Sequence, residues 1–518
     1  ASKSVLGIIA MAPERKEEAP IVLIHGLFGW GEQCPFFGLA PSYFPLPQIR
    51  SSWHSGPVVA VDVGPASSDH DRACEIVAQL LGLQTDFGEA HSEACIHERF
   101  GVDYRSKGGR LRRWDGSHPV HLVGHSFGGN TALTLFCMLS EDFWGLGTSS
   151  AWVLSISTIC SPLHGCSLPF AIGLVEPDTP KQGETVYKNG SFVAMLTVMM
   201  SPLVWAQRHC TWMRRIYDFH MSHWTKSMSL WECVTGDNPY WKSGDNILGE
   251  ATPRCCRKRL RLGLEHLAKI HLVAVAASPV EPLPPSTAIR SAAALLVLGF
   301  GIGLTNYGKG FIAVMSAQLK SVRHRGNTNL TAFLHRPHRT VLRVAASAPA
   351  VLLSAALLHH WRALWEGKFQ RLLQTHVFGH VIRFLLRISS HFVCSAAASL
   401  PVGKGLIVGG GDAAGNDGMV DLMSQYGLDA VQRRASRLSR NMMRTAQSFN
   451  TRSVALQPAA MMRAYSGTDL VVDAKTDARP LEKGKWRVLR IPGADHSLGT
   501  CMSKHSMPTY DLVFRLLR

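Results

Sequence analysis

Residues 124–129 read Gly-His-Ser-Phe-Gly-Gly, with the apolar run PVHLV directly before them and NTALTLFCML directly after. A strand that passes at once into a helix must turn sharply at Ser126. Only small residues two before and two after the serine let the two backbones close that tightly. Such a turn needs a sheet whose carboxyl edge can hold it, and that demand limits what the rest of the chain can build.

Short continuous apolar stretches ending in glycine or a polar turn recur at 20–24, 57–63, 119–123, 153–159, 270–277 and 486–491. Runs without apolar–polar alternation fit strands buried on both faces. Helix-compatible stretches such as 72–81 and 130–139 lie between them. Strand alternating with helix predicts an α/β fold with a mostly parallel central sheet flanked by helices. Composition agrees: at 46% hydrophobic over 518 residues the chain is too apolar to stay disordered. It also lacks the repeated runs of about 20 apolar residues that a polytopic membrane protein requires. Its twelve cysteines include no CxxC pair, so they read as buried thiols rather than a disulfide framework or a metal finger.

The net charge of +17 is concentrated. Residues 282–400 hold thirteen Lys and Arg and one acid, Glu366, so twelve of the seventeen charges sit there. This Ala-, Leu-, Arg- and His-rich stretch breaks the strand–helix rhythm, and its apolar run 291–304 is short for a bilayer span. It reads as a basic amphipathic module for a membrane surface, as a surface insertion, or as a stretch outside the native coding sequence. A nucleic-acid role is the weakest reading, because no recognised nucleic-acid module is present and the basic stretch lacks regular aromatic interleaving. At the other end, the apolar run 5–12 after Lys3 fits either a frayed terminus or the remnant of a targeting segment.

Serine is a poor nucleophile until a base takes its proton, so a histidine and a carboxylate have to follow Ser126. Asp495-His496 comes just after the last strand-like run, and Asn416-Asp417-Gly418 lies in a loop upstream. Acyl transfer also needs donors for an oxyanion. The first strand runs into His25-Gly26-Leu27-Phe28-Gly29, which puts the Leu27 N–H at the mouth of the sheet, and the Phe127 N–H follows the serine.

Seven segments together resemble the thermoalkalophilic, zinc-containing bacterial triacylglycerol lipases and their plant relatives. They are APIVLIHGLFGWG, DRACEIVAQLLG, AHSEACIHERFG, GHSFGG, YDFHMSHW, NDGMV and LEKGKW ahead of Asp495-His496. The likeness runs over roughly 18–280 and 400–500 in one unbroken order. It implies an α/β-hydrolase fold with a helical lid, in which Ser126 is the nucleophile, Asp417 the acid and His496 the base, with Leu27 and Phe127 as oxyanion donors. It also implies a structural zinc on Asp71, His91, His97 and Asp245. The family's calcium site needs a carboxylate where this chain has Leu498, an apolar side chain, so no calcium site of that kind is expected.

The implied organisation is an N-terminal extension at 1–17 and a hydrolase core at 18–281 resumed at 401–518, with 282–400 as an insertion. The core's first part holds the zinc subregion at 71–101 and a lid region at about 166–216, which contains the apolar run SFVAMLTVMMSPLVW. The expected activity is hydrolysis of long-chain acyl esters, with lipid as substrate and a membrane or lipid-droplet surface as a transient partner. A phospholipase, thioesterase or acyltransferase would use the same triad. A non-catalytic lipid or membrane-surface binder working through the basic insertion is the alternative from another class.

Overall fold

The computed structural model describes residues 19–38, 40–53, 56–175, 186–187, 191–225, 228–277, 280, 284, 286–288, 290–291, 379–399, 419–420, 422–425, 480–491 and 493–518. The extension 1–17, most of 282–400 and the proposed acid Asp417 lie outside them.

Six strands form one sheet: β1 (Ile21–Ile24), β2 (Val58–Val61), β3 (Val120–His125), β4 (Val153–Ile159), β5 (His271–Ala276) and β6 (Trp486–Arg490). Their order is β6-β5-β4-β3-β1-β2, and every neighbouring pair is parallel. All six fall where the apolar runs predict them. The runs lack alternation because both faces are covered. On one face Val22, Ile24, Val59, Leu122, Ile156, Leu272 and Val488 pack under helices α1 (Asp69–Leu81) and α2 (Phe127–Ser140). On the other, Ile21, Leu23, Val123, Val273, Val275 and Leu489 meet Leu46, Ile49, Tyr510 and Phe514. Leu498 is fully buried in that second cluster.

Helix α1 begins at an N-cap, Ser68, whose hydroxyl accepts the Asp71 N–H at 3.1 Å, and it ends on Gly82 in the left-handed conformation. It is polar yet almost wholly buried. Two of its polar side chains are spent on the loop after β2: Glu75 accepts the Gly64 N–H at 2.7 Å, and Gln79 both donates to and accepts from the Asp62 backbone. That accounting is what allows a charged helix into the core.

Past β4 the chain leaves the sheet and forms helix α3 (Phe192–His209), then returns through α4 (Pro253–Leu267). The apolar run of the expected lid is helical, with Pro202 inside it, and Ser201 Oγ donates to the Cys233 carbonyl at 2.7 Å. Near the end of the 282–400 stretch, helix α5 (Gly379–Ser399) packs against the short helix Leu168–Ala171. Its Ser390 donates to the Val280 carbonyl at 3.0 Å, so these residues lie on the core. Helix α6 (Ser506–Leu517) closes the fold. No described helix is long and apolar enough to cross a membrane. No disulfide joins the described cysteines.

Candidate active site

Ser126 sits between β3 and α2 at φ 55 and ψ −130, a left-handed φ that a serine adopts only under constraint. Its N–H donates to the Ile159 carbonyl at 2.7 Å, anchoring the turn to β4. The flanking glycines are required by contact. A Cβ on Gly128 would lie 2.1 Å from the Ile24 oxygen, and one on Gly124 would lie 2.3 Å from the Gly129 nitrogen.

His496 arrives in the loop after β6, and its Nε2 lies 3.0 Å from Ser126 Oγ, with both residues buried. The residue before the serine holds this loop from below. His125 Nε2 donates to the His496 carbonyl at 2.9 Å. A carbonyl can only accept, so His125 carries its proton on Nε2, and its Nδ1 accepts a hydrogen bond from the Tyr43 hydroxyl at 2.6 Å. The adjacent carboxylate, Asp495, is engaged elsewhere: it accepts from the Ser497 N–H at 3.0 Å and from Arg383 Nε of α5 at 3.2 Å. Arg383 also donates to the Gly493 carbonyl at 2.7 Å. Two residues after Asp417, the described chain resumes with Met419 and Val420. Both pack in one apolar cluster with Leu27 and Phe127.

Leu27 follows β1, and a Cβ on its neighbour Gly26 would come 2.6 Å from Ser126 Cβ, so this loop abuts the serine. Phe127 is the first residue of α2, where an N–H has no acceptor inside its own helix. Under the loop lies Arg72, fully buried. Its guanidinium donates to the His25 carbonyl, to the Gly64 carbonyl at 2.8 Å and to Thr131 Oγ1 at 2.9 Å. Burial lowers its pKa to about 10, which leaves it charged at neutral pH, with Asp69 and Glu75 opposing the shift. Burial, together with Arg72, holds His25 well below the usual histidine range, hence neutral. A cavity of about 270 Å³ opens beside this loop, lined by His25, Trp30, Phe37, Arg214, Arg215 and His220 among others; Ser126 and His496 are not in its lining.

A second cluster lies behind α1. His91 Nε2 is 3.3 Å from Asp71 Oδ1 and 3.2 Å from Asp245 Oδ2, while His97 Nε2 is 3.9 and 3.8 Å from the same two oxygens. Metal bonds of about 2.0–2.1 Å to a tetrahedral ion place ligand atoms roughly 3.3 Å apart, so these edges suit one bound cation. Two buried atoms in the group, Asp71 Oδ1 and His97 Nε2, have no hydrogen-bond partner. Their tautomers and orientations are set from outside: His97 Nδ1 donates to the Glu98 carbonyl at 2.9 Å and His223 Nε2 donates to Asp71 Oδ2 at 2.9 Å. Burial opposes a charge on Asp71, yet the contact with His223 outweighs it and holds the carboxylate well below its ordinary pKa. Ile96, at φ 62, reverses the chain after the helix Glu89–Cys95 and folds His97 back toward His91. The structure thus brings Asp71, His91, His97 and Asp245 together in a candidate metal site. It adds Cys95, grouped with His91, His97 and Asp245, which the sequence motifs did not single out.

Comparison with known proteins bears on the fold and the family likeness. The lipase-like, C-terminal domain family matches residues 17–143. The chain is 27% identical over 261 residues to a lipase of Staphylococcus hyicus, covering 46% of this chain and 37% of the relative. It is 31% identical over 137 residues to lipase 2 of Staphylococcus aureus, covering 25% and 19%. The chain thus spans well under half the length of these curated relatives. Among solved structures it is similar to Staphylococcus hyicus lipase, at a TM-score of 0.51 and 18% identity over 98% of this chain and 97% of that one. Lipase 1 from Pelosinus fermentans gives 0.51 and 19% over 96% and 97%. The fold is the α/β-hydrolase fold, and the chain resembles bacterial lipases of that type.

Proposed function

We propose that this chain, an α/β-hydrolase akin to bacterial lipases, hydrolyses carboxylic esters through an acyl-enzyme on Ser126, with long-chain acylglycerols as its substrate class. The observation that carries the reading is the 3.0 Å contact between Ser126 Oγ and His496 Nε2 on a left-handed turn. His496 takes the hydroxyl proton as Oγ attacks the ester carbonyl, and the bond to the alcohol breaks as the imidazolium returns that proton to the leaving oxygen. Water, deprotonated by the same imidazole, then releases the fatty acid. The N–H groups of Leu27 and Phe127 are the proposed oxyanion donors.

Asp417 is the proposed acid that fixes the His496 tautomer. Two facts support it: Val420 is packed beside Phe127, and the nearer carboxylate, Asp495, is already bound to Ser497 and Arg383. For the second cluster we propose zinc on Asp71, His91, His97 and Asp245, a closed two-imidazole, two-carboxylate set of the structural kind. Helix α3 and its neighbours in the 166–216 region are the proposed lid, with the apolar residues of α3 available to an acyl chain.

Replacing Ser126 by Ala should lower ester turnover by on the order of a millionfold while leaving the circular dichroism spectrum unchanged. Undiminished turnover in that folded variant would refute the mechanism. Comparing long-chain triacylglycerol with phospholipid, thioester and short esters separates a lipase from a phospholipase, thioesterase or acyltransferase, which share the triad.

A further inference from the structure

The turn Pro35–Gly38 and the short helix Thr211–Arg215 lie side by side, joined by the Phe36 N–H donating to the Ile216 carbonyl at 2.8 Å. Phe36, Phe37 and Trp212 are 53%, 44% and 58% exposed. Burial would have withdrawn each of these side chains from water, and here the fold does not. Phe36 and Phe37 are moreover held at φ 53 and 57, left-handed values that bulky residues avoid.

The charge on the segment that carries Trp212 has one sign. From 207 to 217 the chain reads QRHCTWMRRIY, with Arg208, Arg214 and Arg215 and no acid before Asp218. The segment also adjoins the loop proposed to carry an oxyanion donor. Tyr217 donates to the Gly29 carbonyl at 3.2 Å, and Phe37, Arg214 and Arg215 line the same cavity as His25 and Gly29.

We propose that this aromatic and arginine rim seats on an anionic phospholipid surface, its ring edges entering the acyl boundary and its guanidinium groups meeting lipid phosphates. The inference deepens the ester-hydrolase reading by supplying the surface on which that site would work. A second copy of this chain is the other apolar occupant to consider. A two-fold contact would press the same arginines against each other, which the charge disfavours.

The test uses the full chain carrying Ser126→Ala, so that binding is read without turnover. Sedimentation is measured with vesicles of equal parts phosphatidylglycerol and phosphatidylcholine, and with phosphatidylcholine alone. The Ser126→Ala protein should favour the anionic vesicles and release them as salt rises. Arg214→Gln with Arg215→Gln should weaken that binding by about 30-fold. Phe36→Ser, Phe37→Ser and Trp212→Ala together should weaken binding to both vesicle types by tenfold or more. Circular dichroism and turnover of a short soluble ester, in the same variants with Ser126 restored, check that the fold survives. Unchanged binding in both folded variants overturns the proposal. So does a dimer in sedimentation velocity that the aromatic variant abolishes, which would assign the face to a second copy. Rim-dependent binding by a chain that turns over no ester would uphold the surface and reject the hydrolase reading. Ester turnover with rim-independent binding would do the reverse.

Discussion

At the scale of single residues, the structure adds supports around the candidate nucleophile that no motif contains. His125 is an unspecified position inside Gly-x-Ser-x-Gly, yet it joins Tyr43 to the backbone of His496. Tyr43→Phe removes the donor to a buried ring nitrogen and should cost about 1–3 kcal/mol in urea unfolding. It should also lower kcat roughly tenfold with KM unchanged, because His496, the proposed base, loses its register while substrate contacts stay. An unaltered kcat would count against a positioning role. His220 offers a pH test. Burial disfavours its charge, but the carboxylates of Asp218 and Glu75 outweigh burial and raise its pKa to about 9. A histidine raised in the folded state contributes most below its unfolded pKa of about 6.5 and loses that contribution as pH climbs through the folded value. Stability should therefore fall between pH 6.5 and 9 by up to about 3 kcal/mol, and His220→Gln should flatten that slope in denaturant titrations. Arg72 belongs at this scale too: the sequence shows a charged residue in a helix, and only the fold turns it into the prop that ties the His25 and Gly64 carbonyls together.

At the scale of elements, the six sheet strands were legible because each is a short, mostly apolar run, the pattern that burial on both faces favours. Helix α2 was legible within three residues at its start, its N-terminus being pinned by the serine turn. Less legible was α5. From composition it belongs to a basic stretch, and in the structure its Arg383 grips the loop that carries His496. Arg383→Ala should reduce kcat several-fold at constant KM, with less than about 1 kcal/mol lost in stability since the arginine is half exposed. Arg383→Lys, which can satisfy one of the two acceptors, should recover part of the rate. Equal kcat in all three proteins would show the contact to be incidental.

At the scale of the whole molecule, the two sites bring together distant parts of the chain. Asp71, His91, His97 and Asp245 come from α1, from the segment after it and from a loop beyond the proposed lid, so a bound ion would staple these parts to one another. Stripping it with a chelator leaves carboxylates facing each other in a buried space. The melting temperature should drop by on the order of 10 °C and recover with added zinc, and His97→Ala should lower zinc content measured by atomic absorption. Identical melting curves with and without chelator would remove the structural ion from the account. The sequence by itself determined the parallel sheet, the serine turn and the residue types able to act there, since apolar run length, glycine spacing and donor chemistry are local properties. Only the tertiary structure decided that Asp495 is bound away from the histidine beside it, that Cys95 joins the cluster of His91, His97 and Asp245, and that Arg72, Tyr43 and Arg383 are props. Those roles depend on which distant atoms come within about 3 Å, a relation set by packing across the folded molecule and written in no single stretch of the chain.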